Sequence, residues 1–265
     1  MLNITSISNP LIREIKGLNK KRERWKKGLF LIEGIKIIEE CIDNGHPVVN
    51  IIYSDRLFDI GGGKDFFNKI KTNDKLVRVS DKLYRHISNV ENPQGVLAIV
   101  KFEASHIRNM EFKDAPFFLL LDRVQDPGNM GTIIRTADAF GVDGVIIMGG
   151  CVDVYNPKVI RSTMGSIFRV PIYHEMDREE IIYQLKRKNV DIYSASLEGS
   201  RYIQTLDFTK GCAFIIGNES TGVSRELHDL ADELIKIPML GEIESLNVAI
   251  ASSIIMYEVM RQRIQ

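Results

Sequence analysis

Short apolar segments alternate with amphipathic segments along the first 103 residues of the chain. The apolar segments have the length of strands, and the amphipathic segments place apolar residues at helical spacing. The predicted strands are 28–34, 48–54, 75–80 and 95–102, and the predicted helices are 35–45, 65–70 and 81–86. Such an alternation is typical of a small α/β domain with a parallel or mixed sheet. The polar segment 104–115 has no clean period and is predicted to be a linker.

The same alternation restarts at residue 116 with longer elements. The predicted strands are 117–122, 144–148, 169–173, 190–196, 212–217 and 233–239. The predicted helices are 132–141, 155–168, 178–189, 224–231 and 245–263. These elements predict a second α/β domain over residues 116–265, with a parallel sheet and helices on both of its faces.

A basic amphipathic helix is predicted near the N-terminus, with Asn9 as its N-cap and Pro10 at its first position. Apolar residues at near-helical spacing form one buried stripe: Ile7, Leu11, Ile15 and Leu18. Basic residues lie along a second face: Arg13, Lys16, Lys20, Arg24 and Lys27. A charged face can be a solvated surface or a site for phosphate groups, and both interpretations stay open. The scarcity of acidic residues among these bases adds weight to phosphate binding.

The composition is that of an ordinary globular chain, with 44% hydrophobic and 26% charged residues among 265. The formal net charge is zero, but residues 1–115 carry 20 basic against 15 acidic side chains. The first 27 residues alone carry eight basic and two acidic side chains, so the excess positive charge is local to the N-terminus. This asymmetry predicts that the N-terminal region binds a polyanion.

Several classes of protein are excluded by the same sequence. Three widely spaced cysteines form no CxxC pair and the histidines have no metal-ligand spacing, so no metal site is expected. No apolar segment is long enough to cross a membrane, and the N-terminus lacks the basic-then-apolar order of a secretion signal. We therefore expect a cytoplasmic protein with reduced cysteines and no membrane partner.

Three strand-to-helix junctions carry more Gly, Pro, Asn and Ser than a connection alone requires. They lie within 121–147, 214–227 and 237–259. Ligands bind outside the carboxyl ends of the strands in open α/β sheets, where helix N-termini offer free N–H donors. The alternative is that these loops are tight turns that need positive φ angles. The chain lacks GxGxxG and GK[ST], which excludes a P-loop and argues against a nucleotide-binding oxidoreductase.

The residues of these junctions resemble three signature motifs of the SpoU/TrmH family of RNA ribose methyltransferases, which belongs to the SPOUT superfamily. The first is Asn129 followed six positions later by Arg135, the second is 216–219 with Gly222, and the third is 237–239 followed by 245–247. The resemblance covers 116–265 continuously. The second motif reads Gly-Asn-Glu-Ser-Thr-Gly, where some relatives have Gly-Ala-Glu or Gly-Ser-Glu followed directly by Gly. Segments 30–34 and 92–100 are similar to the ribosomal-protein-like substrate-binding domain of the family.

The resemblance implies methyl transfer from S-adenosylmethionine to a ribose 2′-hydroxyl in RNA, most simply 23S ribosomal RNA. It also implies a C-terminal trefoil knot and a homodimer. The residues expected to bind the cofactor are Gly217, Ile237, Met239, Ser245 and Leu246. The residues expected to be catalytic are Asn129, Arg135, Glu219 and Asn247. The alternatives are a transfer-RNA 2′-O-methyltransferase and a non-catalytic RNA-binding protein with the same fold.

Arg135 matches the residue that the family is described as using to activate the hydroxyl. A guanidinium is effectively never deprotonated in proteins, so we expect a cationic role rather than that of a general base. It would stabilise the developing oxyanion and orient a phosphate through two hydrogen bonds. For Glu219 the alternative is an acid favoured at a helix N-terminus, and for Ser245 and Asn247 it is capping of the last helix, which suits Ser245 well.

Overall fold

The structure, a computed structural model, describes residues 2–264. It contains two compact units: residues 2–103 with Asp153–Phe168, and Ala104–Val152 with 169–264. The segment 153–168 therefore belongs with the N-terminal unit, although the chain reaches it from the C-terminal one. The predicted boundaries, with a linker at 104–115, stay a prediction. Met1 and Gln265, the outer ends of the two predicted domains, lie outside the described residues.

The helices and strands of residues 2–264 are numbered in chain order. The strands are β1 (Leu2–Ile4), β2 (Leu29–Glu33), β3 (Val48–Tyr53), β4 (Leu76–Val79), β5 (Val96–Lys101), β6 (Phe117–Leu121), β7 (Gly144–Ile147), β8 (Ile172–His174), β9 (Asp191–Ala195), β10 (Arg201–Tyr202), β11 (Cys212–Ile216) and β12 (Glu233–Lys236). The helices are α1 (Pro10–Gly17), α2 (Lys21–Lys27), α3 (Ile35–Asp43), α4 (Gly63–Ile70), α5 (Asp81–Ile87), α6 (Pro127–Ala139), α7 (Pro157–Thr163), α8 (Arg178–Lys186), α9 (Arg225–Leu230) and α10 (Val248–Arg263).

The N-terminal unit is built on a mixed sheet of five strands in the described part of the chain, in the order β1-β4-β3-β5-β2. β1 and β3 run parallel to β4, while β5 is antiparallel to both β3 and β2. β5 sits between two neighbours and is buried along all but its last residue, as its continuous apolar run requires. The predicted α/β class is confirmed for this unit.

The predicted basic helix is wrong in one respect, because it is two helices, α1 and α2, separated by residues 18–20. Asn9 caps α1 as predicted, accepting a hydrogen bond from the N–H of Leu11 at 2.9 Å. Ile7 precedes α1 and is exposed. At the break, Arg24 Nη1 donates to the carbonyl oxygen of Leu18 at 2.8 Å and to that of Asn19 at 3.0 Å.

The C-terminal unit is built on a sheet of seven parallel strands within residues 2–264, in the order β10-β12-β9-β11-β6-β7-β8. Every residue of β6 and β11 is buried. Uninterrupted apolar runs are typical of central parallel strands covered on both faces. The prediction of a parallel sheet is confirmed. Edge strands β1 and β10 were not predicted.

Strand order brings two of the three candidate loops together. β6 and β11 are neighbours, with Leu121 opposite Ile216 at their carboxyl ends. The motif-one loop, residues 122–126, follows β6, and the motif-two loop, residues 217–224, follows β11. The motif-three loop, residues 237–247, runs from β12 to α10. The candidate site therefore lies at the carboxyl edge of the sheet.

Candidate active site

Glu219 projects from the motif-two loop towards the start of α6. Its carboxylate accepts hydrogen bonds from the main-chain N–H groups of Gln125 at 3.4 Å and Asp126 at 3.2 Å. It also accepts one from Asn129 Nδ2 at 3.1 Å. Burial raises the pKa of this carboxyl, but the hydrogen bonds from Asn129 and the two main-chain groups outweigh burial and lower the pKa from its usual value. Glu219 is therefore a carboxylate at neutral pH, and its side chain is exposed.

Asn247 extends this arrangement from the other side. Its Nδ2 donates to Asn129 Oδ1 at 3.0 Å, so a continuous chain of hydrogen bonds runs through Glu219, Asn129 and Asn247. We call these three residues the polar triad. Glu219 comes from the motif-two loop, Asn129 from α6 and Asn247 from the N-terminus of α10. In the sequence, Glu219 and Asn247 lie 90 and 118 positions after Asn129. Three of the four predicted catalytic residues are thus in contact.

The start of α10 explains why Asn247 holds this position. Asn247 is the N-cap, and its Oδ1 accepts hydrogen bonds from the N–H groups of Ala249 at 2.9 Å and Ile250 at 3.3 Å. With its oxygen fixed on the helix, the amide nitrogen is left to donate to Asn129. The expectation that Ser245 suits the capping role is wrong, since Ser245 lies two residues before the cap.

Arg135, the fourth predicted catalytic residue, does not join the polar triad. It lies on the exposed surface of α6, six residues after Asn129. Six residues are about 600° of helical rotation, so the two side chains leave the helix about 120° apart. Among the described residues, Arg135 has neither an ion pair nor a hydrogen bond from its guanidinium. Its five donors are therefore available to a ligand.

A pocket of about 590 Å³ opens beside Glu219. All five residues predicted to bind the cofactor line it: Gly217, Ile237, Met239, Ser245 and Leu246. A Cβ on Gly217 would lie 2.1 Å from the carbonyl carbon of Gly222, so only glycine lets the motif-two loop close beside the pocket. The second and third motifs, which are distant in sequence, thus share one cavity.

Several residues of this site were missed by sequence reasoning. His228 lines the pocket, and one of its ring nitrogens lies 2.9 Å from the buried hydroxyl of Ser194. Asn218 accepts from the N–H groups of Ser220 and Thr221 through its Oδ1, which is an Asx turn. An Asn before a polar loop is a known signal for such turns, so Asn218 was accessible to prediction. His228 had no local signal, because its partner lies on β9.

The residues predicted to bind RNA are divided by the structure. Arg13, Lys16, Lys20 and Lys27 are exposed, and three of them line a groove of about 680 Å³ along α1 and α2. We call this the basic groove; Lys16 lies beside it on α1. Lys27 also pairs with Glu14 at 2.6 Å.

Arg24 departs from the predicted arrangement. Only 2% of its surface is exposed, and its guanidinium forms an ion pair with the buried carboxylate of Asp153. Its Nε donates to Asp153 Oδ2 at 2.8 Å. The break between α1 and α2 turns this side chain inward, and it is not available to a phosphate group.

Two kinds of site have no counterpart in the described structure. No cluster of three or more His, Cys, Asp or Glu side chains among residues 2–264 is arranged to hold a metal ion. Within the same residues, every helix is too short or too polar to span a membrane.

Comparison with known proteins gives matches over both units. Residues 116–257 match the SpoU rRNA Methylase family, and residues 9–98 match the MRM3-like substrate binding domain. The 23S rRNA (guanosine(2553)-2′-O)-methyltransferase RlmP of Bacillus subtilis (strain 168) is 33% identical, over 97% of this chain and 98% of its own length. A 23S rRNA (uridine(2479)-2′-O)-methyltransferase of Streptomyces viridochromogenes is 31% identical, over 93% and 88% of the two chains.

A solved structure agrees over the same length. The AdoMet-bound rRNA methyltransferase from Sinorhizobium meliloti superposes with a TM-score of 0.87 at 32% identity, covering 98% of this chain and 97% of that one. The similarity therefore includes both units.

Proposed function

The chain belongs to the SpoU rRNA methylase family, and we propose that it transfers a methyl group from S-adenosylmethionine to a ribose 2′-hydroxyl of 23S ribosomal RNA. The observation that carries this proposal is the polar triad at the rim of a pocket that contains all five expected cofactor residues. The two curated relatives act on a guanosine and on a uridine, so the nucleotide is not carried over from either.

The pocket fits S-adenosylmethionine in size and in charge. Its volume of about 590 Å³ lies within the range of small-ligand sites, about 300–1,000 Å³. Its acidic lining residues are Glu198, Glu219 and Glu244, against the single lysine Lys236. When bound, S-adenosylmethionine supplies a methyl group carried on a sulfonium cation. An acidic lining favours such a cation.

The polar triad orients the reacting groups. Glu219 stays ionised because its hydrogen bonds stabilise the charged form. Asn129 is fixed at both ends of its amide, by Glu219 and by Asn247, and so cannot rotate freely. Side chains held in this way provide a preorganised polar surface for the ribose.

Arg135 acts as a cation at the ribose. A hydroxyl is a poor nucleophile until its developing negative charge is stabilised. The guanidinium keeps its proton and can bind a phosphate oxygen and the 2′-oxygen together. Its exposure and its lack of a partner among the described residues support this role.

The basic groove, with Lys16 beside it, binds the RNA backbone. Arg13, Lys16, Lys20 and Lys27 supply the charge, and Arg24 is excluded from this set because it is buried. Lysine and arginine side chains that neutralise phosphates give affinity that depends on salt rather than on base sequence. The groove would hold the RNA while the motif loops select the ribose.

Three further expectations accompany this function. A homodimer is supported by Ile250 and Tyr257, which expose 51% and 50% of their surface on α10. A cytoplasmic location is supported by the free cysteines Cys41, Cys151 and Cys212. The trefoil knot stays a prediction. Light scattering at micromolar concentration tests the dimer, and a monomeric mass contradicts it.

In vitro methylation of total RNA with labelled S-adenosylmethionine, followed by mapping of the modified ribose, tests the activity. We expect label in 23S ribosomal RNA, strongly reduced label with Glu219→Gln, and normal labelling with Glu179→Gln, an exposed carboxylate on α8. Label in transfer RNA supports the alternative substrate. RNA binding without any label identifies a non-catalytic binder.

A further inference from the structure

Arg123 has an unusual main-chain conformation for its residue type. Its φ is +57°, in the left-handed region that non-glycine residues rarely adopt. Within residues 2–264, Met164 and Asn189 share this property, but both lie at the ends of helices, where such a residue is common. Arg123 instead lies two residues after β6, inside the motif-one loop. Strained conformations of this kind persist only where surrounding contacts hold them.

The hydrogen bonds of the Arg123 guanidinium and carbonyl oxygen are to its own loop and to the motif-two loop. Its guanidinium bonds the carboxylate of Asp122, which is fully buried, at 3.1 to 3.3 Å. Nη2 also donates to the carbonyl oxygen of Gly222 at 3.2 Å. In return, the carbonyl oxygen of Arg123 accepts from Asn218 Nδ2 at 2.9 Å. Arg123 thus contacts both ends of one short turn.

That turn carries Glu219. Asn218 and Gly222 pair through two main-chain hydrogen bonds, at 2.9 and 3.0 Å, and close a loop around the three residues between them. Asp122 adds a further link, accepting from the N–H of Ser224 at 2.9 Å. The position of the Glu219 carboxylate therefore depends on a turn whose base is held by Arg123.

We propose that Arg123 is a positioning residue for methyl transfer, which holds the base of the motif-two turn so that Glu219 meets Asn129. The inference rests on the proposed function. Arg123 lies outside the motif positions from which the catalytic residues were predicted. Among the described residues it makes no hydrogen bond or ion pair with Asn129 or Glu219, so it acts through the turn and is not itself catalytic.

Substitution of Arg123 in the full chain tests this role. Arg123→Gly accepts the positive φ without strain but has no guanidinium, so strain and positioning are separated. We expect its single-turnover rate to fall by about 10- to 100-fold, because small misplacements of reacting groups have effects of that size. The RNA affinity stays unchanged. Arg187→Ala, which removes an exposed arginine from the same unit, is the matched control and keeps the wild-type rate.

Rescue and coupling distinguish positioning from a general loss of structure. Added guanidinium ion restores part of the rate of Arg123→Gly, and Arg123→Lys, which keeps the charge without the planar fork, stays slow. In a Glu219→Gln background, Arg123→Gly has little additional effect, because both changes act through one carboxylate. A wild-type rate for Arg123→Gly, or rate losses that simply multiply in the double variant, overturns the proposal.

A readout without cofactor or RNA separates this proposal from the proposed function. The pKa of Glu219, followed by NMR of its carboxyl carbon, should rise in Arg123→Gly as the hydrogen bonds from Asn129 and the motif-one loop lengthen. Failure of the wild type to methylate RNA sinks the proposed function alone. An unchanged Glu219 pKa in Arg123→Gly sinks the positioning role alone.

Discussion

Arg24 in the N-terminal unit and Glu219 in the C-terminal unit are both charged and both make several hydrogen bonds. They differ in whether the side chain orders the main chain or the main chain orients the side chain. Arg24 is buried, and its guanidinium organises main-chain carbonyls at the break between α1 and α2. Glu219 is exposed, and main-chain N–H groups organise its carboxylate. A buried and fully paired charge shapes the fold, whereas an exposed charge held in one orientation is ready for a ligand.

The largest effect expected from this contrast is on stability. Arg24→Ala leaves the carboxylate of Asp153 buried without its ion pair, and we expect the free energy of unfolding to fall by about 3–5 kcal/mol. Urea denaturation measures it. Arg22→Ala, an exposed neighbour on α2, should change the value by no more than about 0.5 kcal/mol. Equal losses in the two variants would mean that Arg24 has no special structural role.

The second-largest effect is expected on catalysis, at Arg135, the exposed residue that lies outside the polar triad. Arg135→Ala should keep the fold and the affinity for S-adenosylhomocysteine, while the single-turnover rate falls by about 100- to 1,000-fold. Arg135→Lys keeps the charge and should recover a part of the rate. Rates across alkaline pH test the cationic role. A lysine variant that becomes faster than wild type as pH rises contradicts it, since lysine loses its proton far more readily.

The smallest effect is on RNA affinity. Replacing Arg13, Lys16 and Lys20 by Ala should make the negative slope of log affinity against log salt shallower, by about one for each lost phosphate contact. Cofactor binding should not change. A matched triple variant at Lys64, Lys71 and Lys82, exposed on the same unit, should leave the slope intact. If both triple variants make the slope equally shallower, the basic groove is not the specific RNA-binding surface.

The elements that could be predicted are those with a local signal. β6 and β11 are continuous apolar runs, and central parallel strands need such runs. β1 and β10 have two or three residues, and they exist only because β4 and β12 pair with them. The break after α1 depends on Arg24 and its partner Asp153, which is 129 positions away. No local pattern contains that information.

The candidate site shows the same division. The resemblance of the three motifs to those of the SpoU/TrmH family was enough to select the polar triad and the five pocket residues, and each of these motifs follows a predictable strand. The conformation of Arg123 was not accessible, because it results from contacts with Asn218 and Gly222 across two loops. The orientation of Arg135 away from Asn129 follows from helical geometry once the bounds of α6 are known.

The excursion of residues 153–168 into the N-terminal unit has a consequence for how the protein is made. During translation, residues 2–103 emerge from the ribosome first. Asp153 and α7, which complete this unit, emerge later. At about 5–20 residues per second, the interval between residues 103 and 168 is about 3–13 seconds. During that interval Arg24 lacks Asp153, its ion-pair partner. The N-terminal unit is therefore complete only after residues 104–152 of the C-terminal unit have been translated.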